Sequence, residues 1–290
     1  MRKVIFCGGD KREIAVMKSL KDKNYQVEAY GCPPDSLPEG VPLSTDIQAS
    51  FAAADVCILP QPPIKKDGQL HSLCSEPVCL TADDLSFLPQ DTPVLCGVAS
   101  LYLRTHASQC QIFELTDDDR MAVPLAPASA EGAIAEAITL SDGLLGGCQA
   151  LVLGFGRIGR EVAWRLEGLG MEVVVMNRGR ERRVEAEEMG YTVVERAQLV
   201  EACLNADYIF NTAPAMLLDE IIIGLLRRET CIIDLAAYPG GTDFAAAARR
   251  GIKAIHAGGM PGKYAPAYAG MVMAEFYPVF IEALFDKEEQ

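Results

Sequence analysis

Residues 150–178 read ALVLGFGRIGREVAWRLEGLGMEVVVMNR. A short apolar run, Ala150–Leu153, leads into Gly154, Gly156 and Gly159 at G-x-G-x-x-G spacing. Ile158, Val162, Leu166 and Leu169 then recur every three to four residues, the period of a helix with one apolar face, and Gly170 ends it. Val173–Met176 has the β-branched content of a buried strand. Strand, glycine turn, helix and strand in this order predict a dinucleotide-binding βαβ unit. In such a unit the first glycine permits the tight turn, the second lets a pyrophosphate approach the backbone, and the third lets helix and strand touch. The phosphates then face the amides and the positive dipole end of the helix. The candidate cofactor contacts here are Gly154, Phe155, Gly156, Arg157, Ile158 and Gly159.

The end of the second strand bears on which nucleotide binds. An acid there accepts hydrogen bonds from the ribose of NAD, whereas a cation suits the 2′-phosphate of NADP. Here the chain reads Asn177-Arg178-Gly179-Arg180, with Arg182 and Arg183 beyond and no acid. Arg178 is the candidate clamp, because a guanidinium binds phosphate in a bidentate fork. The reading favours NADP over NAD.

Outward from this unit, apolar runs and helical patterns alternate in both directions. Strands are expected at Lys3–Cys7, Tyr25–Tyr30, Val56–Leu59, Pro93–Gly97 and Gln111–Leu115 before it. Further strands are expected at Tyr191–Val194, Tyr208–Asn211, Cys231–Leu235 and Lys253–His256 after it. Strands separated by helices predict parallel sheets, so the fold class is α/β with two doubly wound parallel-sheet domains, the C-terminal one a Rossmann domain. The expected boundaries are 1–125 for an N-terminal substrate-side domain and 126–142 for a bridging helix with Ser129 as its cap. The Rossmann domain follows at 143–265, then a helix at 266–290 that packs back on the N-terminal domain.

The 290 residues carry a formal net charge of -14, which argues against a nucleic-acid surface or an anionic membrane as partner. The ten cysteines form no C-x-x-C, and Cys7, Cys57 and Cys231 sit inside apolar runs. That is the pattern of reduced thiols in a cytoplasmic protein, with neither a disulfide framework nor a metal site. No run of about 18 uninterrupted apolar residues occurs, so no membrane span is expected.

Six stretches together resemble one family: CGGDKRE at 7–13, PASAEGAI at 127–134, LGFGRIG at 153–159, NTAP at 211–214, DLAAYPGGTDF at 234–244 and GGMPGKYAPAYAG at 258–270. In order and spacing they look like the dipicolinate synthase A subunit of spore-forming bacteria. The resemblance implies a cytoplasmic oxidoreductase of the sporulating mother cell. It implies a product, pyridine-2,6-dicarboxylate, made from 4-hydroxytetrahydrodipicolinate or its dehydrated dihydro form, with hydride passing to NADP. It also implies a partner, the dipicolinate synthase B subunit, which resembles a flavoprotein. The chain departs from the family pattern in QPPIKK after Pro60 and in Lys263 and Tyr264 after Gly262. A homo-oligomer is compatible with the sequence, which does not set its size.

A small dicarboxylate needs cationic or N–H partners. Lys11 and Arg12 follow the GGD turn at a helix N-terminus, where the dipole favours an anion, and Arg12 matches the family. Asp10 stands beside it as a helix cap or a substrate contact, and Arg104, Lys65 and Lys66 are further cations. Gly240, Gly241 and Thr242 offer successive N–H groups and a hydroxyl as a second carboxylate nest. Thr212, Ala213 and Pro214 follow a strand end that should line the nucleotide crevice. Asp234 and Glu131 are the candidate acid–base groups, Asp234 alternatively a buried brace. His71, His106 and His256 are read as structural or surface residues. Two rival readings stand: a 2-hydroxy acid or alanine-type dehydrogenase, and a non-catalytic nucleotide-binding partner of a flavoprotein.

Overall fold

All eleven expected strands are present, and every pairing between them is parallel. The computed structural model describes residues 1–286, which divide into two units. The last four residues of the expected C-terminal segment 266–290 lie outside the described residues.

The first unit comprises residues 1–124 and the chain from Pro266 onward. It runs β1 (Lys3–Cys7), α1 (Lys11–Asp22), β2 (Gln26–Tyr30), α2 (Ile47–Ala52), β3 (Val56–Ile58), α3 (Ala82–Ser86), β4 (Pro93–Cys96), α4 (Leu101–His106) and β5 (Gln111–Glu114). The strand order β2-β1-β3-β4-β5 reverses between β1 and β3. Open α/β sheets bind their ligands at the carboxyl ends of the strands at such a reversal.

The boundary between the units, at Pro124–Leu125, falls inside α5 (Asp119–Leu140). That helix begins at Asp119, not at Ser129. The Asp118 carbonyl accepts the Met121 and Ala122 amides and starts it early, and the helix runs on through Pro124 and Pro127. Ser129 is an interior residue whose hydroxyl donates back to the Leu125 carbonyl, so it caps nothing.

The second unit, Leu125–Ala265, continues with β6 (Gln149–Leu153), α6 (Arg157–Gly168), β7 (Glu172–Met176), α7 (Arg180–Glu188), β8 (Thr192–Val194), α8 (Leu199–Asn205) and β9 (Tyr208–Asn211). It ends with α9 (Glu220–Leu225), β10 (Cys231–Asp234), α10 (Phe244–Arg250), β11 (Lys253–His256) and α11 (Met260–Tyr264), a short helix that the GGMPG stretch did not advertise. The order β11-β10-β9-β6-β7-β8 is the doubly wound Rossmann order, with its switch point between β6 and β9. Both faces of β6 are buried. Ala150 and Val152 pack with α5 and α6, while Leu151 and Leu153 pack with α8, α9 and α10. That explains a continuous apolar run in place of alternation.

The chain returns to the first unit as α12 (Pro266–Asp286). Among the described helices it is the one long and apolar enough in composition to cross a membrane, with a mean hydropathy of 1.3. Glu275 and Glu282 interrupt the run, and one face packs on α1. Gly270 permits a close approach there: a Cβ at this position would lie 3.1 Å from that of Ala15.

Candidate active site

At the β6/β9 switch point each glycine has a separate physical reason. Gly154 has φ +97° and sits under the Thr212 hydroxyl, 2.6 Å from where a Cβ would be. A Cβ on Gly159 would lie 2.1 Å from the Gly154 carbonyl oxygen. Gly156 is exposed and faces open space, with nothing within 4 Å of a Cβ position. It is also the N-cap of α6, and no side chain caps that helix. An uncapped helix N-terminus beside a bare glycine is a cradle shaped for a phosphate. A dinucleotide therefore fits the residues present.

Other predicted contacts hold the turn and do not reach outward. Phe155 is buried with its ring against Tyr191, and its amide donates to the Asn177 side-chain oxygen (3.1 Å). The Thr212 hydroxyl donates to the Leu153 carbonyl (3.0 Å), and the Ala213 amide donates to Asn211 Oδ1 (3.1 Å). Pro214 is exposed beyond them and Ile158 is half-buried on α6. At the end of β7, Arg183 donates to the Asn177 and Arg178 carbonyls and pairs with Glu195. Arg182 pairs with Glu185. Arg178 and Arg180 are exposed and enter no ion pair among the described residues.

Asp234 is fully buried and accepts four hydrogen bonds. Asn211 Nδ2 (3.0 Å) and the Ala236 amide (3.0 Å) donate to Oδ1. The Gly241 amide (2.8 Å) and the Thr242 hydroxyl (2.6 Å) donate to Oδ2. Both oxygens are saturated, the arrangement of a structural brace. The expected nest at Gly240, Gly241 and Thr242 is turned inward for the same reason. The Gly240 amide donates to the Ala237 carbonyl, and the other two donors serve Asp234. Glu131 stands on α5. It is exposed and pairs with Arg165 (3.2 Å), which lies two turns, about 12 Å, along α6 from its first residue.

In the first unit the β1/β3 switch point holds a polar network. Asp10 caps α1, and Glu13 completes the capping box. Glu13 is buried. It accepts the Asp10 amide (2.8 Å) on one oxygen and the Gln61 amide (3.1 Å) on the other, joining the ends of β1 and β3. The anion seat at this helix N-terminus is thus filled by the chain's own carboxylates. Burial pushes the Glu13 carboxyl up, against the pull of the Arg12 charge. Arg12 is also buried, with Nε and Nη2 on Asp10 (3.0 and 2.8 Å). Its Nη1 carries no hydrogen bond among the described residues. His71 reaches Asp10 from the following loop (3.2 Å). Burial would raise the Asp10 carboxyl, but the hydrogen bonds from His71 and Arg12 outweigh it and hold Asp10 well below the usual range. Tyr277 of α12 is buried and receives Gln61 Nε2 (2.8 Å) on its hydroxyl. Arg104 of α4 is exposed and pairs with Glu114 at the end of β5. Lys11, Lys65 and Lys66 are exposed. Sequence reasoning read His71 as structural or surface and singled out neither Gln61 nor Tyr277; the first two come from the loop after β3 and the third from α12. Glu13 had a readable signal, the D-x-x-E spacing of a capping box.

A Rossmann order with an open glycine cradle defines a dehydrogenase-type nucleotide-binding protein. Residues 130–236 match the family model for the D-isomer specific 2-hydroxyacid dehydrogenase, NAD binding domain, and residues 3–115 match the model for the N-terminal domain of the dipicolinate synthase A subunit. The dipicolinate synthase A subunit of Bacillus subtilis (strain 168) is 32% identical over 279 residues, covering 94% of this chain and 93% of that one. The crystal structure of the dipicolinate synthase A subunit from Bacillus halodurans superposes with a TM-score of 0.89 at 28% identity, covering 98% of this chain and 97% of that one. The crystal structure of the Bacillus subtilis protein gives 0.85 at 30% identity, covering 100% and 98%. The chain belongs to the family of dipicolinate synthase A subunits.

Proposed function

We propose that this chain oxidises the dihydro ring derived from 4-hydroxytetrahydrodipicolinate to dipicolinate, with NADP preferred over NAD. The observation that carries the reading is the open cradle at Gly156 in a chain of this family, with Arg178 and Arg180 unpaired and no acid at the end of β7. When bound, the nicotinamide supplies the hydride acceptor. The substrate ring loses a hydride and a proton, and the product is aromatic, so the step is downhill once the ring is held in place. The chain's own part is binding and orientation. The α6 amides hold the pyrophosphate, and Arg178 with Arg180 take the 2′-phosphate. Arg12, steadied by Asp10, offers its remaining Nη1 to one substrate carboxylate, and Arg104, paired with Glu114, is a further cation of the same unit. With Asp234 saturated and Glu131 remote, no carboxylate of the cofactor unit is needed as a base. The enzyme works in the cytoplasm of the sporulating mother cell, partnered by the flavoprotein-like B subunit.

The test is to mix the purified chain with NADP or NAD and freshly generated 4-hydroxytetrahydrodipicolinate, and to follow reduced cofactor and dipicolinate together. Both should rise in step without a partner. R178A/R180A should lower kcat/KM with NADP by roughly 10- to 100-fold, about one charge-assisted hydrogen bond or two, and leave NAD turnover unchanged. If neither product appears until the flavoprotein-like partner is added, the chain is a nucleotide-binding half of an obligate complex.

A further inference from the structure

Just past the end of β7, the carbonyls of Asn177, Arg178 and Gly179 are each held by a side chain of the same turn. Arg183 Nη1 donates to the Asn177 carbonyl (3.2 Å) and to the Arg178 carbonyl (2.8 Å). Asn177 Nδ2 donates to the Gly179 carbonyl (3.1 Å). The other ends of both side chains are engaged as well. Asn177 Oδ1 accepts the Phe155 amide (3.1 Å), and Arg183 Nη2 donates to Glu195 (2.8 Å). Arg178 and Arg180 stand among these groups, exposed and in no ion pair among the described residues.

We propose that Asn177 and Arg183 are positioning residues that give this chain its preference for a nucleotide bearing a 2′-phosphate. The inference rests on the NADP reading above, in which Arg178 and Arg180 hold that phosphate. A carbonyl oxygen is an acceptor with partial negative charge, and it repels a phosphate placed beside it. Three in a row work against the attraction of two guanidiniums. The Arg183 fork and the Asn177 amide partner all three and offset that repulsion. They also fix the backbone from which Arg178 and Arg180 project, so less freedom is lost when the phosphate binds. Asn177 fills the place where an NAD site has an acid. Its acceptor oxygen already serves the Phe155 amide, so a bare ribose gains no carboxylate there. Lysine cannot replace Arg183 in this role. One ammonium does not reproduce a planar fork that spans two carbonyls and a carboxylate.

Isothermal titration with two nucleotide fragments tests this: adenosine 2′,5′-bisphosphate, and 5′-AMP, which lacks the 2′-phosphate. The readout is the ratio of the two affinities, so a loss common to both, through the fold or the Gly156 cradle, cancels. The wild type should prefer the bisphosphate by roughly 30-fold, the worth of one or two charge-assisted hydrogen bonds. Arg183→Lys keeps the charge and loses the fork, and should lower the preference by about 10-fold, as far as Arg183→Ala does. Asn177→Ala should lower it by a similar factor. In an R178A/R180A background, Arg183→Lys should change the ratio by less than about twofold, because its effect passes through those two side chains. A wild type without preference refutes the NADP reading itself. A wild-type preference that survives in both Arg183→Lys and Asn177→Ala leaves that reading standing and overturns this inference. So does a preference lost in Arg183→Ala and kept in Arg183→Lys, since the charge alone then accounts for Arg183.

Discussion

Gly156 and Gly159 belong to one motif yet are glycine for different reasons, and substitution should separate them. Gly156 has φ -92° and ψ -157°, a conformation open to any residue, and faces empty space. Gly156→Ala should leave the urea midpoint within experimental error and remove the thermal stabilisation that the wild type gains from NADP. Gly159→Ala drives a methyl group into the Gly154 carbonyl and should cost about 3 kcal/mol in the same urea titration. Asp234→Asn makes a third case. The amide nitrogen it introduces must face a donor, either at the Gly241 and Thr242 side or at the Asn211 and Ala236 side. The loss should be about 2–3 kcal/mol of stability, read as a lower urea midpoint. The glycine cradle was legible in sequence because its spacing is local and its purpose is backbone geometry. The status of Asp234 was not. Catalyst and brace carry the same carboxylate at the same strand end, and only the count of donors around it tells them apart.

At the scale of elements, α12 contains Pro278, which has no N–H to give the Ala274 carbonyl one turn earlier. The Ser19 hydroxyl of α1 donates to that carbonyl instead, at 2.7 Å. Ser19→Ala should therefore cost about 1 kcal/mol in the wild-type chain and markedly less in a Pro278→Ala background, where the helix satisfies its own carbonyl. A double-mutant cycle in urea gives the coupling, and equal losses in both backgrounds would sink the idea. The capping box of α1 has a pH consequence. Burial raises the Glu13 carboxyl in the folded chain. A carboxyl raised on folding supports the fold below its unfolded value, about 4.3, and that support is lost as pH rises through the folded value. Glu13→Gln does not titrate, so its melting temperature relative to wild type should improve as pH rises from that value towards neutrality. A constant difference across that range would show that Glu13 titrates alike in both states. Asp10 has the opposite sign. Its lowered carboxyl supports the fold at neutral pH, and that support is lost only in stronger acid. Strand positions were legible here because buried parallel strands are short apolar runs. The start of α5 was not, because Pro124 and Pro127 read as helix breakers while the Asp118 carbonyl that starts the helix has no signature of its own.

The whole molecule is threaded asymmetrically. The second unit is one continuous stretch, Leu125–Ala265, whereas the first unit is closed by a helix from the far end of the chain. The two should therefore respond differently to cutting. The second unit has an apolar cluster on each face of its sheet, built from its own residues. A fragment of residues 125–265 should fold cooperatively and gain thermal stability from NADP through the same cradle. Residues 1–124 alone should not fold. Without α12 they lose the cover over α1, the Tyr277 partner of Gln61 and a set of buried side chains that includes Met273 and Ile281. Removing side chains of that size costs several kcal/mol each, and a domain has only about 5–15 kcal/mol to lose. Adding residues 266–290 back, joined by a short linker to residue 124, should restore a cooperative transition. Circular dichroism melts of the three polypeptides decide the matter. If residues 1–124 melt cooperatively on their own, α12 is an accessory of that sheet, and the resemblance of CGGDKRE to the family reports a unit complete before the Rossmann strands begin.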